Sequence, residues 1–329
     1  MAKEARHHHY LPQCYLRGFA VGRGKQCRLT VANIAGKNYF ETNPRNVGGV
    51  RDFNRVQIAG FKPDAIEGML ANFEGQVATA LRNVAVSRKF EGDDRLFILN
   101  LLALLAVRSP QMREHWRQME EQLMKKMLGL SLASKERWEA QEAAMAKAGK
   151  GPEPGEPPIS YEQMKEFYEN DEYDITLNTE HHIGIEFKAH DAVLKALMAR
   201  KWEMHAIASE GVGCFVTTDR PVVLTWNSPE KIPPMYRESP GFGMPDTEVL
   251  FPITKNLIVI GSFEGKDGTV PATTSFVAGA NTRMIHRAFE QMYGPKKVIP
   301  YIGPDLKFYH DRNFLDKWER FKRKTEEAK

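Results

Sequence analysis

The hydrophobic positions of this chain change period along its length, and the changes predict its elements. Arg6 to Ala20 reads RHHHYLPQCYLRGFA, with Leu11, Tyr15, Leu16 and Phe19 at helical spacing and Pro12 suited to a first helical turn. A short helix after an extended start is expected, broken by Gly22 and Gly24. Arg28 to Ile34 alternates and is rich in strand formers. Gly36-Lys37-Asn38 supplies a turn and Tyr39-Phe40-Glu41-Thr42 returns, which predicts a hairpin. The period then becomes helical. Ile66, Leu70, Phe73, Val77, Ala80 and Leu81 share one face of a segment running from Pro63-Asp64 to about Ser87. Leu96 to Val107, LFILNLLALLAV, is apolar apart from Asn100. Gly92-Asp93-Asp94 ahead of it favours a helix N-terminus, and Ser109-Pro110 ends or kinks it. A polar helix is expected from Gln111 to about Leu128.

Residues 133–158 differ in composition. Ala140 to Lys150 is rich in Ala, Lys and Glu, and GPEPGEPP follows, which reads as a solvated helix and a flexible linker. Ser160 and Gln163 are spaced as a capping box. HHIGIEF alternates like a strand with Ile183, Ile185 and Phe187 on one face, and His190 to Ala208 is helical in pattern. Later, Cys214–Thr217 and Val222–Trp226 flank the turn Asp219-Arg220-Pro221, and Thr247–Ile253 and Leu257–Phe263 flank Lys255-Asn256. Residues 275–292 and the charged tail Asn313–Lys329 read as helices. Helices in the middle and strands late predict an α+β fold: an N-terminal β-hairpin, a mainly helical middle and C-terminal antiparallel strands packed on helices. Residues 1–329 read as a single domain, with 129–160 an inserted helical arm and Pro/Gly-rich linker.

Charge and cysteine content narrow the classes. Twelve consecutive apolar-patterned residues fall short of the roughly 20 a membrane span needs, and no signal peptide opens the chain. Cys14, Cys27 and Cys214 have no CxxC spacing, which favours a reducing, cytoplasmic setting over a disulfide framework or zinc site. The net charge is +4, yet residues 1–60 hold ten Lys/Arg against three Asp/Glu. Such a segment attracts phosphates or an acidic partner, or simply solvates a surface.

The stretch His8-His9-Tyr10-Leu11-Pro12-Gln13-Cys14-Tyr15-Leu16 resembles the opening motif of an uncharacterised, mainly bacterial family, domain of unknown function 4238. Asn46-Val47 with Asp52-Phe53, the helix end Arg108-Ser109-Pro110, the turn Phe215-Val216-Thr217-Thr218-Asp219-Arg220-Pro221-Val222 and the strand Phe251-Pro252-Ile253-Thr254 are similar in the same order. Cys14 stands where an aromatic is common, and Asn54 where a tyrosine is. The resemblance implies no chemistry, because the family has no established catalytic residue.

Candidate chemistry therefore comes from the residues. His8, His9, Gln13 and Tyr15 form a polar group beside Arg17. Imidazole serves as acid, base or metal ligand near neutral pH, and Gln and Tyr orient a phosphate or carbonyl. The plainer alternative is that they tie an extended terminus into the fold. Arg108 closes an apolar helix, where an unpaired charge is costly, and Asp219 is its expected partner. Arg108 could hold a phosphate and Asp219 a metal, or the two form an interior salt bridge or Asx-turn. Asp174 with Glu186-Phe187-Lys188 resembles the Asp…Glu-x-Lys pattern of metal-dependent nucleases, provided that Glu186 and Lys188 share a strand face. In a helix, His182, Glu186 and His190 would instead span about 12 Å, too far for both histidines to reach one ion, and a solvated face is expected. No GxGxxG, P-loop, GxSxG or HExxH occurs.

Two functions follow. One is a phosphodiester-acting, nuclease-like hydrolase in bacterial or phage conflict. Here His9 is the base, Arg108 steadies phosphate charge, and Asp219 or Glu186 binds a divalent metal ion. The other is a non-catalytic module that binds nucleic acid or an acidic partner through Arg17, Arg23, Lys25 and Arg28.

Overall fold

The first residues are extended and paired. Strand β1 (His7–His9) runs antiparallel to β4 (Gly49–Arg51). Tyr10 and Leu11 N–H groups then both donate to the Gly48 carbonyl. Gly48 has φ +68°, and a Cβ there would lie 2.8 Å from Leu11 Cβ, so this contact requires glycine. Helix α1 (Gln13–Leu16) follows, with Pro12 as its N-cap, and continues as a 3₁₀ turn over Arg17–Phe19. The predicted hairpin forms as β2 (Leu29–Asn33) and β3 (Asn38–Thr42). Helices α2 (Ala65–Ser87) and α3 (Gly92–Val107) complete the N-terminal part. Helix α3 buries Ile98, Leu99, Leu101 to Leu105 and Val107 around its whole circumference, as its unbroken apolar run requires.

This is a computed structural model that describes residues 6–150, 159–171, 173–237 and 240–317. The chain has two compact units, Met1–Pro110 with Ile183–Lys329, and Gln111–His182. The second is built from α4 (Pro110–Ser131), α5 (Lys135–Lys147) and α6 (Tyr161–Asn170). None of these helices has a buried residue. Polar ties within the unit include Lys125 to Asp171 at 2.7 Å, Lys135 to Glu162 at 3.2 Å, and the Tyr161 hydroxyl to the Leu132 carbonyl at 3.1 Å. The Ser160–Gln163 capping box forms with both reciprocal bonds. The expected arm 129–160 lies within this unit; its GPEPGEPP linker, 151–158, is outside the described residues.

The expected strand at Ile183 is a helix instead. Helix α7 (Thr179–Met198) buries Ile183, Glu186 and Leu197, which are spaced by whole turns. The short alternation was embedded in a longer helical frame, and the longer frame prevails.

Beyond it lie β5 (Lys201–Ala206), β6 (Thr217–Thr218), β7 (Val223–Trp226), β8 (Thr247–Thr254), β9 (Leu257–Ser262), β10 (Gly268–Pro271), α8 (Thr274–Arg287), β11 (Gln291–Gly294), β12 (Ile299–Ile302) and β13 (Phe308–Asp311). A five-stranded sheet has the order β10-β5-β9-β8-β7, antiparallel except for β10 beside β5. A four-stranded sheet has the order β3-β2-β11-β6. Strands β12 and β13 pair with each other. The helix expected over 275–292 therefore stops at Arg287, and β11 inserts between the N-terminal hairpin and β6. Its partners are far away in sequence, so no local pattern announces them. The tail helix expected to Lys329 lies beyond the described residues after 317.

The large sheet is covered on both faces. Trp202, Met204, Val249, Phe251 and Val259 pack with α2, α3 and the N-terminal segment. Leu250, Ile258 and Val223 pack with α8 and the last strands. Burial on alternate sides explains the unbroken apolar run in β8.

Arg200, 1% exposed, sits where β5 begins. It donates from Nη1 to the Thr247 and Gly261 carbonyls and from Nη2 to the Phe242 carbonyl and Thr247 Oγ1, at 2.6–3.1 Å. Burial lowers its pKa to about 10, so it stays charged near neutrality. Arg200→Ala should cost about 3–5 kcal/mol in urea denaturation, and Arg200→Lys, which has no fork, should recover little of it.

Candidate functional site

The leading polar motif sits at the join between the N-terminal segment and the sheets. His8 is 2% exposed, and its Nδ1 accepts the Asn54 N–H at 2.9 Å. His9 is partly exposed and donates from Nε2 to the Arg45 carbonyl at 3.1 Å. Burial holds the His9 pKa below its ordinary value. Tyr15 is fully buried; its hydroxyl is 2.7 Å from Thr217 Oγ1 and donates to the Pro252 carbonyl at 2.9 Å. These bonds are what an anchored terminus needs. Gly18 shows how close the anchoring is: a Cβ there would stand 3.0 Å from the Ile253 carbonyl, and the Lys255 N–H donates to the Gly18 carbonyl.

Arg108 is 4% exposed. Its Nη2 donates to the His9 carbonyl at 3.4 Å, and its guanidinium lies 5.5 Å from the Phe53 ring centre. Asp219, 2% exposed, accepts three main-chain N–H groups: Phe289 at 2.9 Å, Glu290 at 2.6 Å and Gln291 at 3.0 Å. This carboxylate is an internal anion seated in a backbone nest, fixing the entry to β11. Burial outweighs those bonds and raises its pKa. Of the candidate catalytic residues, His8, Tyr15, Arg108 and Asp219 are therefore interior groups that bond largely to main chain or to neighbours within the fold, which favours the anchoring alternative for them.

The metal expectation also changes. Glu186 and Lys188 lie on helix α7, where two positions differ by about 200° around the axis, so they cannot share a face. Asp174 lies outside any helix or strand. Glu186 is buried, which also corrects the expected solvated helix face. Among the described residues, no group of three or more His, Cys, Asp or Glu side chains is placed to hold a metal ion, neither around Asp219 nor around Glu186.

What opens to solvent is the basic rim beside the motif. A recess of about 690 Å³ is lined by Gln13, Arg17, Arg28, Arg45, Asn43 and Glu41, among others. Its arginines come from fixed backbone. Arg17 lies in the 3₁₀ turn after α1. Arg28 exchanges main-chain bonds with Val21 at 2.8 Å. Arg45 lies in a turn capped by Asn43, whose Oδ1 accepts the Arg45 N–H at 3.2 Å. Of the other basic residues expected here, Arg23 is exposed. A second cavity of about 370 Å³ shares Arg17 and has Leu81, Ala78, Ile253 and Cys14 in its walls. Burial pushes the Cys14 thiol to about 12, so it stays protonated. Arg45 was the residue that sequence reasoning passed over; its only signal was its place in the positively charged first 60 residues.

The chain belongs to the family described as "Protein of unknown function (DUF4238)", whose model matches residues 7–297. No curated protein and no solved structure matches it. No helix among the described residues is long and apolar enough to cross a membrane.

Two measurements probe groups in the motif and beside it. Tyr15→Phe leaves Thr217 and the Pro252 carbonyl short of a buried partner and should cost about 1–3 kcal/mol by chemical denaturation. Glu74 gives a pH signature. Burial raises its pKa from 4.5 to about 7, against the opposing field of Arg108. The folded state thus holds this proton more tightly than the unfolded chain. Its stabilising contribution is complete below pH 4.5 and is lost as pH rises through about 7. Glu74→Gln should flatten the stability profile across that window.

Proposed function

We propose that the chain is a binding module for a phosphate-bearing strand, which it takes in the recess of Gln13, Arg17, Arg28 and Arg45. The observation that carries this reading is the convergence of three arginines on one open recess with a single facing acid, Glu41. Guanidinium forks match phosphate oxygens in geometry as well as charge. The apolar cavity that shares Arg17 favours nucleic acid over an acidic peptide, because it offers a base a place beside its own phosphate. The ligand is a single strand, whose bases are free to enter. The free cysteines Cys14, Cys27 and Cys214 suit a reducing, cytoplasmic setting for such a module.

Binding of a fluorescent single-stranded oligonucleotide, followed by anisotropy, tests the proposal. Three phosphate contacts give a log–log salt slope of about −2, or on the order of a 20-fold loss between roughly 50 and 200 mM salt. Arg17→Ala, Arg28→Ala and Arg45→Ala together should abolish most of the affinity and flatten the slope. A salt-independent association, or tighter binding of polyglutamate than of the oligonucleotide, would defeat it.

A further inference from the structure

The α8-facing side of the five-stranded sheet carries a second site beside its apolar core. Strand β5 alternates: Trp202, Met204 and Ala206 enter the core, while Glu203 and His205 face the other way. There they line a cleft of about 660 Å³ with Glu248 on β8, Ser262 on β9, Glu264 and Lys266 in the following loop and Arg283 on α8, among others. The cleft exists because α8 is small where it crosses the sheet. Gly279 and Ala280 line it, and a Cβ added at Gly279 would meet nothing within 4 Å. Sheet faces under a helix normally carry apolar side chains, so half-buried charges here need another explanation.

Those charges are arranged in relation to one another. Glu203 Oε1 lies 2.9 Å from His205 Nε2. The His205 ring stacks on Phe276, with centres 3.7 Å apart and planes 12° apart, which fixes its orientation. A carboxylate only accepts, so Nε2 carries the proton and Nδ1 carries the lone pair. Desolvation by burial lowers the His205 pKa, which keeps that lone pair available near neutrality. Arg283 pairs through Nη1 with Glu248, and the guanidinium keeps further N–H donors for a second anion.

We propose that this cleft is an acid–base site that cleaves RNA, with His205 as general base, Glu203 as its positioning residue and Arg283 holding the phosphate. The substrate class rests on the phosphate-strand reading above; the site itself does not. RNA is favoured over DNA because its 2′-hydroxyl brings a nucleophile already next to the phosphorus, an advantage equivalent to about 10⁵–10⁸ M. His205 Nδ1 takes the 2′-hydroxyl proton. The O2′–P bond forms as the P–O5′ bond breaks, and the departing O5′ takes a proton from solvent. The imidazolium then returns its proton to solvent. The products are a 2′,3′-cyclic phosphate and a 5′-hydroxyl end, with no water consumed and nothing oxidised or reduced.

The test uses the full chain with an end-labelled single-stranded oligoribonucleotide and its DNA counterpart. The expected result is RNA cut to fragments ending in 2′,3′-cyclic phosphate, with DNA intact. His205→Asn should lower the rate on the order of 100-fold or more while RNA binding and melting temperature hold, and Glu203→Gln should lower kcat with KM unchanged. The triple arginine variant should raise KM instead. RNA bound but left whole, DNA cut as fast as RNA, or His205→Asn cutting at the parent rate each overturn this inference alone. RNA neither bound nor cut overturns the binding module as well.

Discussion

One buried hydroxyl joins the parts of the larger unit. Tyr15 lies on the four-residue helix α1, and its oxygen meets Thr217 in the four-stranded sheet and the Pro252 carbonyl in the five-stranded sheet. Its ring stacks on Phe251 with centres 5.2 Å apart. A helix that short has no stability of its own. It persists because Leu11, Tyr15, Leu16 and Phe19 are all buried in the core that also holds α2 and α3. The N-terminal segment is therefore part of the interior, and both sheets are positioned against it.

This accounts for what the family's opening motif does. Its polar members are engaged with the fold: His8 with the Asn54 N–H, His9 with the Arg45 carbonyl, Tyr15 with the sheets. Asp219 in the later turn plays the same part for the backbone at Phe289 to Gln291. Asn281, fully buried on α8, accepts the Val216 N–H and donates to the Cys214 and Pro300 carbonyls. Each gives a main-chain group a side-chain partner, and a buried main-chain group without one is costly. The residues that identify the chain thus hold its shape, and the open chemistry sits at the edges: arginines around one recess, and a histidine–glutamate pair in another.

The split between anchoring and exposed groups also explains the electrostatics. At three such groups burial is the largest influence, raising Asp219 and Glu74 and lowering Arg200. The arginines of the recess stay at the surface on rigid turns, which is where a charged ligand can be met without a large desolvation cost.

Features whose cause is local were legible in the sequence. The β2–β3 hairpin, the apolar face of α2, the all-round apolar α3 and the Ser160–Gln163 capping box depend on neighbours a few residues apart, and their patterns state them. The basic N-terminal segment was legible too, because charge counts need no geometry. Tertiary structure alone decided that Ile183 to Phe187 continues a helix, that Gln291 to Gly294 is a strand between Leu29–Asn33 and Thr217–Thr218, and that Arg200 is a buried fork. It also decided that Glu203 and His205 share an open cleft with Arg283 while Arg108 and Asp219 lie in the interior. The physical reason is that side-chain environment depends on which surfaces meet, and those surfaces come from segments up to hundreds of residues apart. A sequence read in windows records the period of a pattern; only packing determines which side of it faces protein and which faces water.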